Sequence, residues 1–307
     1  GSYPSEYDSE VLRYGAKAAS DFGIKNLKLK ASVYSVKESA KINSSFTRAD
    51  EERSYNEYMA SLLYKIDILA LHLAYEKSYE DTNSLLATLK APIIGDFSLL
   101  AKIEKKGVNP TIIQESNPYG APNDDLKSQN LNRISGGILY ESKSLTCKID
   151  YSQIETDDMI VWVTIDPTTY TGQYQNVDNT KYNFLHAVID YTFLDDFAIN
   201  LDYSNISNMD SSNDALVYNL PEHKALAKLE YFSLINAYFL ASYISEQNSY
   251  SGDVDASTIY NLGLGYDVND AFEVRADIYN LTDEYYEHVK NYPESGRIVS
   301  VGINYIF

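Results

Sequence analysis

The chain has 307 residues, with 44 Asp and Glu against 25 Lys and Arg for a formal net charge of −19, one Cys and 29 Tyr. So acidic a protein excludes a nucleic-acid surface, which needs a basic stripe to displace counterions from phosphate, and one thiol excludes a disulfide framework or a Cys-based zinc site. With 44% apolar residues it is no disordered acidic polymer, yet no stretch approaches the roughly 18 apolar residues of a membrane helix, and mean hydropathy is −0.33.

The N-terminus, Gly1-Ser2-Tyr3-Pro4, has neither a basic flank nor an apolar run, so any signal peptide is expected to be already removed or outside the cloned sequence. From there the chain reads with a period of two. The first strand is predicted over Leu12 to Ala18, followed by Leu27-Leu29-Ala31-Val33, Tyr58-Ala60-Leu62-Tyr64 and Phe97-Leu99-Ala101-Ile103. Leu145-Cys147-Ile149-Tyr151, Leu185-Ala187-Ile189-Tyr191-Phe193 and Phe197-Ile199-Leu201-Tyr203 continue the alternation. Ala225-Ala227-Leu229-Tyr231, Ile235-Ala237-Phe239-Ala241-Tyr243 and Tyr260-Leu262-Leu264-Tyr266 come next. Phe272-Val274-Ala276-Ile278 and Val299-Val301-Ile303-Tyr305-Phe307 close the chain. Each run places apolar side chains on one face and polar ones on the other. A strand count of about 15 results.

Connections alternate between short and long. Asp21 to Asn26, Lys65 to Asp67, Pro92 to Asp96, Glu141 to Ser144, Leu194 to Asp196, Phe232 to Ser233 and Val268 to Ala271 are short. Lys37 to Ser54, Val108 to Ser128, Gln153 to Lys181, Asn205 to Asn219, Glu246 to Ser257 and Leu281 to Ser295 are long, and Ser78 to Asn83 is a shorter member of that set. Tight turns on one rim and long loops on the other are the layout of an outer-membrane barrel. Tyr75, Tyr151, Tyr191, Tyr203, Tyr243, Tyr266 and Tyr305 fall at apolar strand ends, where aromatic girdles form. A soluble sandwich also alternates, but its inner face is dominated by large Leu, Ile and Val, whereas here Ala and Tyr interleave. The expected fold is therefore an all-β antiparallel transmembrane barrel, residues 1–307 forming a single barrel domain or part of one.

The C-terminal stretch from about Asp270 carries Asn280-Leu281-Thr282-Asp283, then Tyr286, then Gly296-Arg297 before the last strand, and a terminal Phe307. These residues resemble the end of TonB-dependent outer-membrane receptors. Pro221-Glu222-His223-Lys224 is similar to that family's lead into a strand, and Tyr286-Glu287-x-Val289-x-x-Tyr292 resembles most its cobalamin receptor branch. The resemblance covers about Asn130 to Phe307 and is one of pattern before that. It implies a 22-stranded barrel filled by an N-terminal plug, with capture of a scarce nutrient (metal chelate, siderophore, haem or cobalamin) by outer loops and plug rearrangement driven through TonB. Neither plug nor coupling segment is expected in this chain, so TonB would act only through a plug absent from it, and the chain resembles a C-terminal barrel portion. Strand direction agrees: a final strand running inward, traced back through alternating connections, makes the first run inward too, so the count is odd where a closed single-chain barrel needs an even one.

The resemblance implies a transporter and no enzyme, with no cofactor. Outer-membrane lipid and a small-molecule ligand are the expected partners and the bacterial outer membrane the expected location. The alternatives are a plug-less passive pore or a surface adhesion module; nothing in the spacing assigns a protease triad. Candidate ligand contacts are the loop aromatics Trp162, Tyr170, Tyr174, Tyr285, Tyr286 and Tyr292, rigid flat groups that cover area at low entropic cost. Asn280, Leu281, Asp283, Gly296, Arg297 and Phe307 are expected to be structural. Asp157-Asp158 and Asp253-x-Asp255 are oxygen-rich enough for Ca²⁺, although acidic loops are more simply solvated. His72 and His186 are expected on the polar face, and Ile160 to Thr164 is expected to extend a neighbouring hairpin.

Overall fold

The computed structural model describes residues 6–43, 48–79, 82–118, 120–166, 171–177, 179–211, 220–233, 235–249, 252–269 and 271–305. In chain order the first elements are β1 (Glu6–Ser20), β2 (Leu27–Asn43), β3 (Arg48–Ile66), β4 (Leu69–Lys77), β5 (Asn83–Ile94), β6 (Phe97–Val108) and the single-turn helix α1 (Ile112–Ser116). Next are β7 (Gln129–Glu141), β8 (Leu145–Asp157), β9 (Met159–Asp166), β10 (Thr171–Val177), β11 (Thr180–Phe193), β12 (Phe197–Ser211), β13 (His223–Tyr231) and β14 (Ile235–Ile244). The chain continues through β15 (Gln247–Ser249), β16 (Gly252–Val254), β17 (Ser257–Asn269), β18 (Phe272–Tyr279), β19 (Glu287–Val289), β20 (Tyr292–Pro293) and β21 (Ile298–Tyr305).

Fifteen of these strands form one antiparallel sheet in the order β1-β2-β3-β4-β5-β6-β7-β8-β11-β12-β13-β14-β17-β18-β21. The count and its odd parity match the sequence reading. Among the described residues no ladder joins β1 to β21. Three two-stranded sheets, β9 with β10, β15 with β16 and β19 with β20, sit within the long connections.

Register aligns the apolar residues strand after strand. Phe239 pairs with Leu262, Leu262 with Ile278 and Ile278 with Val299; one step along, Ala237 pairs with Leu264, Leu264 with Ala276 and Ala276 with Val301. The same face at the other end of the sheet carries Leu29 opposite Leu62, Leu62 opposite Leu73 and Leu73 opposite Ala87. This face is bare: Val301, Ile303 and Val299 are 73%, 68% and 65% exposed, with Ile103, Ile138, Ile149 and Leu264 exposed as well. Asp150, Ser152 and Asp277 on the polar face are buried. Such a sheet is inside out relative to a soluble sandwich, since exposed apolar area costs about 25 cal/mol per Å² in water and nothing in lipid.

At the short-turn rim the apolar face ends in neighbouring rings: Phe97 and Tyr140 lie 4.9 Å apart, Phe193 and Phe197 5.4 Å, Phe197 and Tyr231 4.8 Å. Tyr58, Tyr75, Tyr151, Tyr203 and Tyr243 line the other margin, exposed on the same face. On the polar face His72 stands between Leu63 and Thr88, and His186 lies 3.1 Å from Asp202, both where the sequence places them. Arg275 holds Asp277 at 2.8 Å.

Long connections are shorter than the sequence reading has them, since β8 runs on to Asp157 and β12 to Ser211, and two differ most. Lys37 to Ser54 is predicted as a long loop because apolar alternation stops at Val33 and Tyr58. The ladder between β2 and β3 instead continues from Tyr34↔Glu57 to Asn43↔Arg48, ten more residue pairs or about 33 Å of strand. Charged pairs sustain it, among them Lys37–Glu52 at 2.9 Å. The apolar phase also inverts here. Leu27, Leu29, Ala31 and Val33 lie on the bare face, whereas Val36, Ala40 and Ile42, each 2% exposed, lie on the opposite one, where α1 touches β2. Ile160 to Thr164, expected to extend a neighbouring hairpin, forms β9 of an independent hairpin with β10.

Candidate functional site

The long connections fold into ordered units, and the end of β18 shows how the chain turns into one. Asn280 adopts φ 51°, a left-handed conformation that Asn tolerates because its short side chain bonds locally. That side chain is buried: its Nδ2 donates to Glu284 O at 2.8 Å and its Oδ1 accepts from Glu284 N at 2.8 Å, while Asn280 N donates to Asn261 Oδ1 at 2.9 Å. Leu281 N donates to Tyr260 O at 2.7 Å. Arg297 N, fourteen residues beyond Asp283, donates to Asp283 Oδ1 at 2.7 Å. A Cβ at Gly296 would come within 2.8 Å of the same oxygen. The motif residues Asn280, Leu281, Asp283, Gly296 and Arg297 thus form a clasp between the start and the end of the last loop. Phe307 lies outside the described residues.

Above the clasp the loop presents aromatics. Tyr285 and Tyr292 are 72% and 71% exposed. Tyr286 is half-buried, its ring edge-on to His288 with centroids 5.4 Å apart and its carbonyl accepting from Glu294 N at 3.0 Å. The Tyr285 hydroxyl donates to Glu287 Oε1 at 2.8 Å, and that bond raises its pKa; burial, then Glu294, raises that of Tyr286. Both phenols therefore stay neutral at ordinary pH and offer rings and hydroxyls. Gln247 Nε2 donates to His288 O at 2.8 Å, which ties the β15–β16 hairpin to this loop.

The second aromatic group is built differently. Trp162 on β9 and Tyr174 on β10 meet edge to face at 5.2 Å, and a Cβ at Gly172 would fall 2.2 Å from the Trp162 ring. The loop between β6 and β7 docks on this hairpin: Ala121 N donates to Gly172 O at 2.9 Å, Asn123 Nδ2 to Tyr174 O at 2.8 Å and Gln173 Nε2 to Pro122 O at 2.6 Å. Both rings are half-buried in this contact, and no described bond links them to Tyr285, Tyr286 or Tyr292. Tyr170 lies outside the described residues. Sequence reasoning missed Gly172, Asn117, Asn123, Gln173 and Asn176, which hold the docked loop through backbone groups that no spacing rule reveals.

Asp157 Oδ2 accepts from Asn132 at 3.2 Å and Asp158, with φ 53°, turns the chain into β9. Among the described residues no three His, Cys, Asp or Glu side chains gather as metal ligands.

The family model described as TonB dependent receptor-like, beta-barrel matches residues 26–281, most of the chain. The chain belongs to the TonB-dependent receptor β-barrel family. No curated protein matches it by sequence. Among solved structures, the siderophore receptor PirA from Acinetobacter baumannii superposes with a TM-score of 0.76 at 14% identity, over 98% of this chain and 55% of that one. The copper transporter OprC gives a TM-score of 0.79 at 16% identity, over 99% and 57%. A mutant ferric enterobactin receptor from Pseudomonas aeruginosa gives 0.78 at 14%, over 98% and 54%. The chain thus spans little more than half of each receptor. At such identity the likeness is one of fold: the sheet is the wall of a transmembrane barrel of the bacterial outer membrane.

Proposed function

We propose that the chain is barrel wall and outer-loop surface of a receptor that takes up a scarce nutrient as a small chelate, with outer-membrane lipid against its apolar face. In this reading residues 1–307 are part of a single barrel domain, and energy from TonB reaches the lumen through a plug that this chain does not contain. The observation that carries the reading is the pairing of an inside-out sheet with an ordered last loop on which Tyr285 and Tyr292 stand largely exposed. An exposed ring held on a clasped loop has little entropy left to lose, so it suits capture of a bulky, partly apolar or cationic ligand by stacking and cation–π contact, worth about 0.5 to 2 kcal/mol per ring. The solved structures of the same fold include a siderophore receptor and a copper transporter, which supports a metal or metal chelate as cargo. Trp162, Tyr170 and Tyr174 are the second ligand group in this proposal; Trp162 and Tyr174 already have partners in the docked hairpin, so they rank below the last loop.

The test is cell-surface binding of a ligand panel (ferric catecholate and hydroxamate siderophores, haem, cobalamin) by the receptor that carries this chain. Tyr285→Ala with Tyr292→Ala should weaken binding of one member about 5- to 100-fold while leaving barrel assembly unchanged. Unaltered binding would move the site to the β9–β10 hairpin, and ion conduction with no ligand binding would mark a passive pore.

A further inference from the structure

We propose that the polar face of β4 to β8 holds a binding site for an oxyanion, a carboxylate or phosphate group on a small solute, built around Lys90, Lys102, Arg133 and Lys148. These side chains line a cavity of about 480 Å³ in the wall, a volume typical of small-molecule sites. Register brings them together. Thr88 pairs with Lys102 and Lys102 with Ser135 in one row, and Lys90 pairs with Leu100, Leu100 with Gly137 and Gly137 with Asp150 in the next. Arg133 and Lys148 flank these rows, opposite Glu104 and Leu139. Gly137 leaves room on the floor, where a Cβ would stand 2.8 Å from that of Asp150.

The charges do not cancel inside the cavity. Lys90 pairs with Glu141, and Lys102 with Glu104 at 2.7 Å, but neither carboxylate lines it. Among the described residues Asp150 is the one acidic residue of the lining, and it is shared: Lys148 pairs with its Oδ1, Arg133 Nη2 lies 3.9 Å away and His186 Nδ1 3.7 Å. Ser152 Oγ fixes the guanidinium, accepting from Arg133 Nε at 3.1 Å and Nη2 at 2.9 Å. His72, Thr88 and Ser135 add neutral donors. The four cationic side chains are 24 to 36% exposed, so a solute reaches their heads, yet they lie against the wall, where attraction is screened less than at an open surface. The patch is local. On the polar face of β12 to β18, Asp202, Glu230, Asp267, Glu273 and Asp277 outnumber Lys224, Lys228 and Arg275, in keeping with a net charge of −19. A cationic, donor-rich hollow in so acidic a chain selects an anion, and ammonium and guanidinium groups suit oxyanions. The site stands apart from the loop aromatics and does not depend on them.

Cysteine labelling of the receptor that carries this chain, in lipid nanodiscs and with Cys147→Ala to remove the native thiol, tests this. Thr88→Cys places a thiol in the cavity and Ser300→Cys one opposite Asp277. The rate with anionic sulfonatoethyl methanethiosulfonate, divided by that with its cationic trimethylammonioethyl counterpart, should be about ten- to a hundredfold higher at Thr88→Cys, and the gap should close in about 1 M salt. Citrate and inorganic phosphate, at matched ionic strength, are the competing probes. The one that protects Thr88→Cys at the lower concentration tells a carboxylate site from a phosphate site, and neither should protect Ser300→Cys. Lys102→Gln with Arg133→Gln should abolish both the preference and the protection; Lys90→Gln with Lys102→Gln, which keeps the bonds from Arg133 to Ser152, should remove most of each. Equal ratios at the two thiols, no protection by either anion, or protection that survives both pairs of substitutions would overturn the proposal. So would a Thr88→Cys thiol that reacts with neither reagent, since another segment of the receptor would then fill the cavity.

Discussion

Asn280 joins a left-handed backbone to a buried side chain whose two polar atoms are both bonded. Two separable costs follow. Asn280→Ala removes the bonds and places a β-carbon in a conformation that disfavours it, for about 2 to 4 kcal/mol; Asn280→Gly loses the same bonds but relaxes the backbone, so it should cost about 1 kcal/mol less. Urea midpoints of the reconstituted protein give the order, and equal midpoints for Ala and Gly would show that backbone conformation is not what selects Asn. At this scale the sequence was legible as spacing only. Asn280, Leu281, Asp283, Gly296 and Arg297 stood out as a pattern, but the bond from Arg297 N to Asp283 crosses a loop whose path no periodicity describes. Trp162 was legible as an aromatic in a loop; that it lies over Gly172 was not, because a glycine that makes room for a ring looks like any other.

Strands were the most legible elements, since a period of two over six or more residues has no helical rival. β21 is a direct test of the faces. Val301 lies opposite Ala276 on the bare face and Ser300 opposite Asp277 on the polar one. Val301→Lys should cost about 2 to 4 kcal/mol in a lipid folding assay, and Ser300→Lys close to nothing. Equal tolerance would mean that the face assignment is wrong. Where the strand signal failed, it failed for a physical reason. The outer parts of β2 and β3 are paired by charged side chains, and their apolar positions, Val36, Ala40 and Ile42, fall on the face opposite to that of Val33. An alternation that changes phase reads as its end, so paired strand was taken for loop. β9 was visible as an apolar run, but its partner, Thr171–Val177, is polar enough to hide.

For the whole molecule, tracing strand direction through short and long connections was enough to reach an odd count, and the sheet has fifteen strands with β1 and β21 at its ends. An end strand in lipid leaves a row of unpaired donors and acceptors, each costing several kcal/mol, so it seeks another strand. In detergent this 307-residue chain should associate as its concentration rises, and light scattering after size exclusion should report the oligomers. A monodisperse, heat-modifiable monomer that conducts ions in a planar bilayer would instead indicate a wall closed on itself. The inversion of phase in β2 has a further meaning for recombination. The apolar phase changes inside a continuous strand, near Tyr34, and not where the strand ends at Asn43. A loop transplanted from Asn43 onward would leave Val36, Ala40 and Ile42 behind without α1, the helix that touches their strand. One excised at Tyr34 would carry them along, but it would have to travel with the loop between β6 and β7 and the β9–β10 hairpin on which that loop docks, so the graft is three connections and not one.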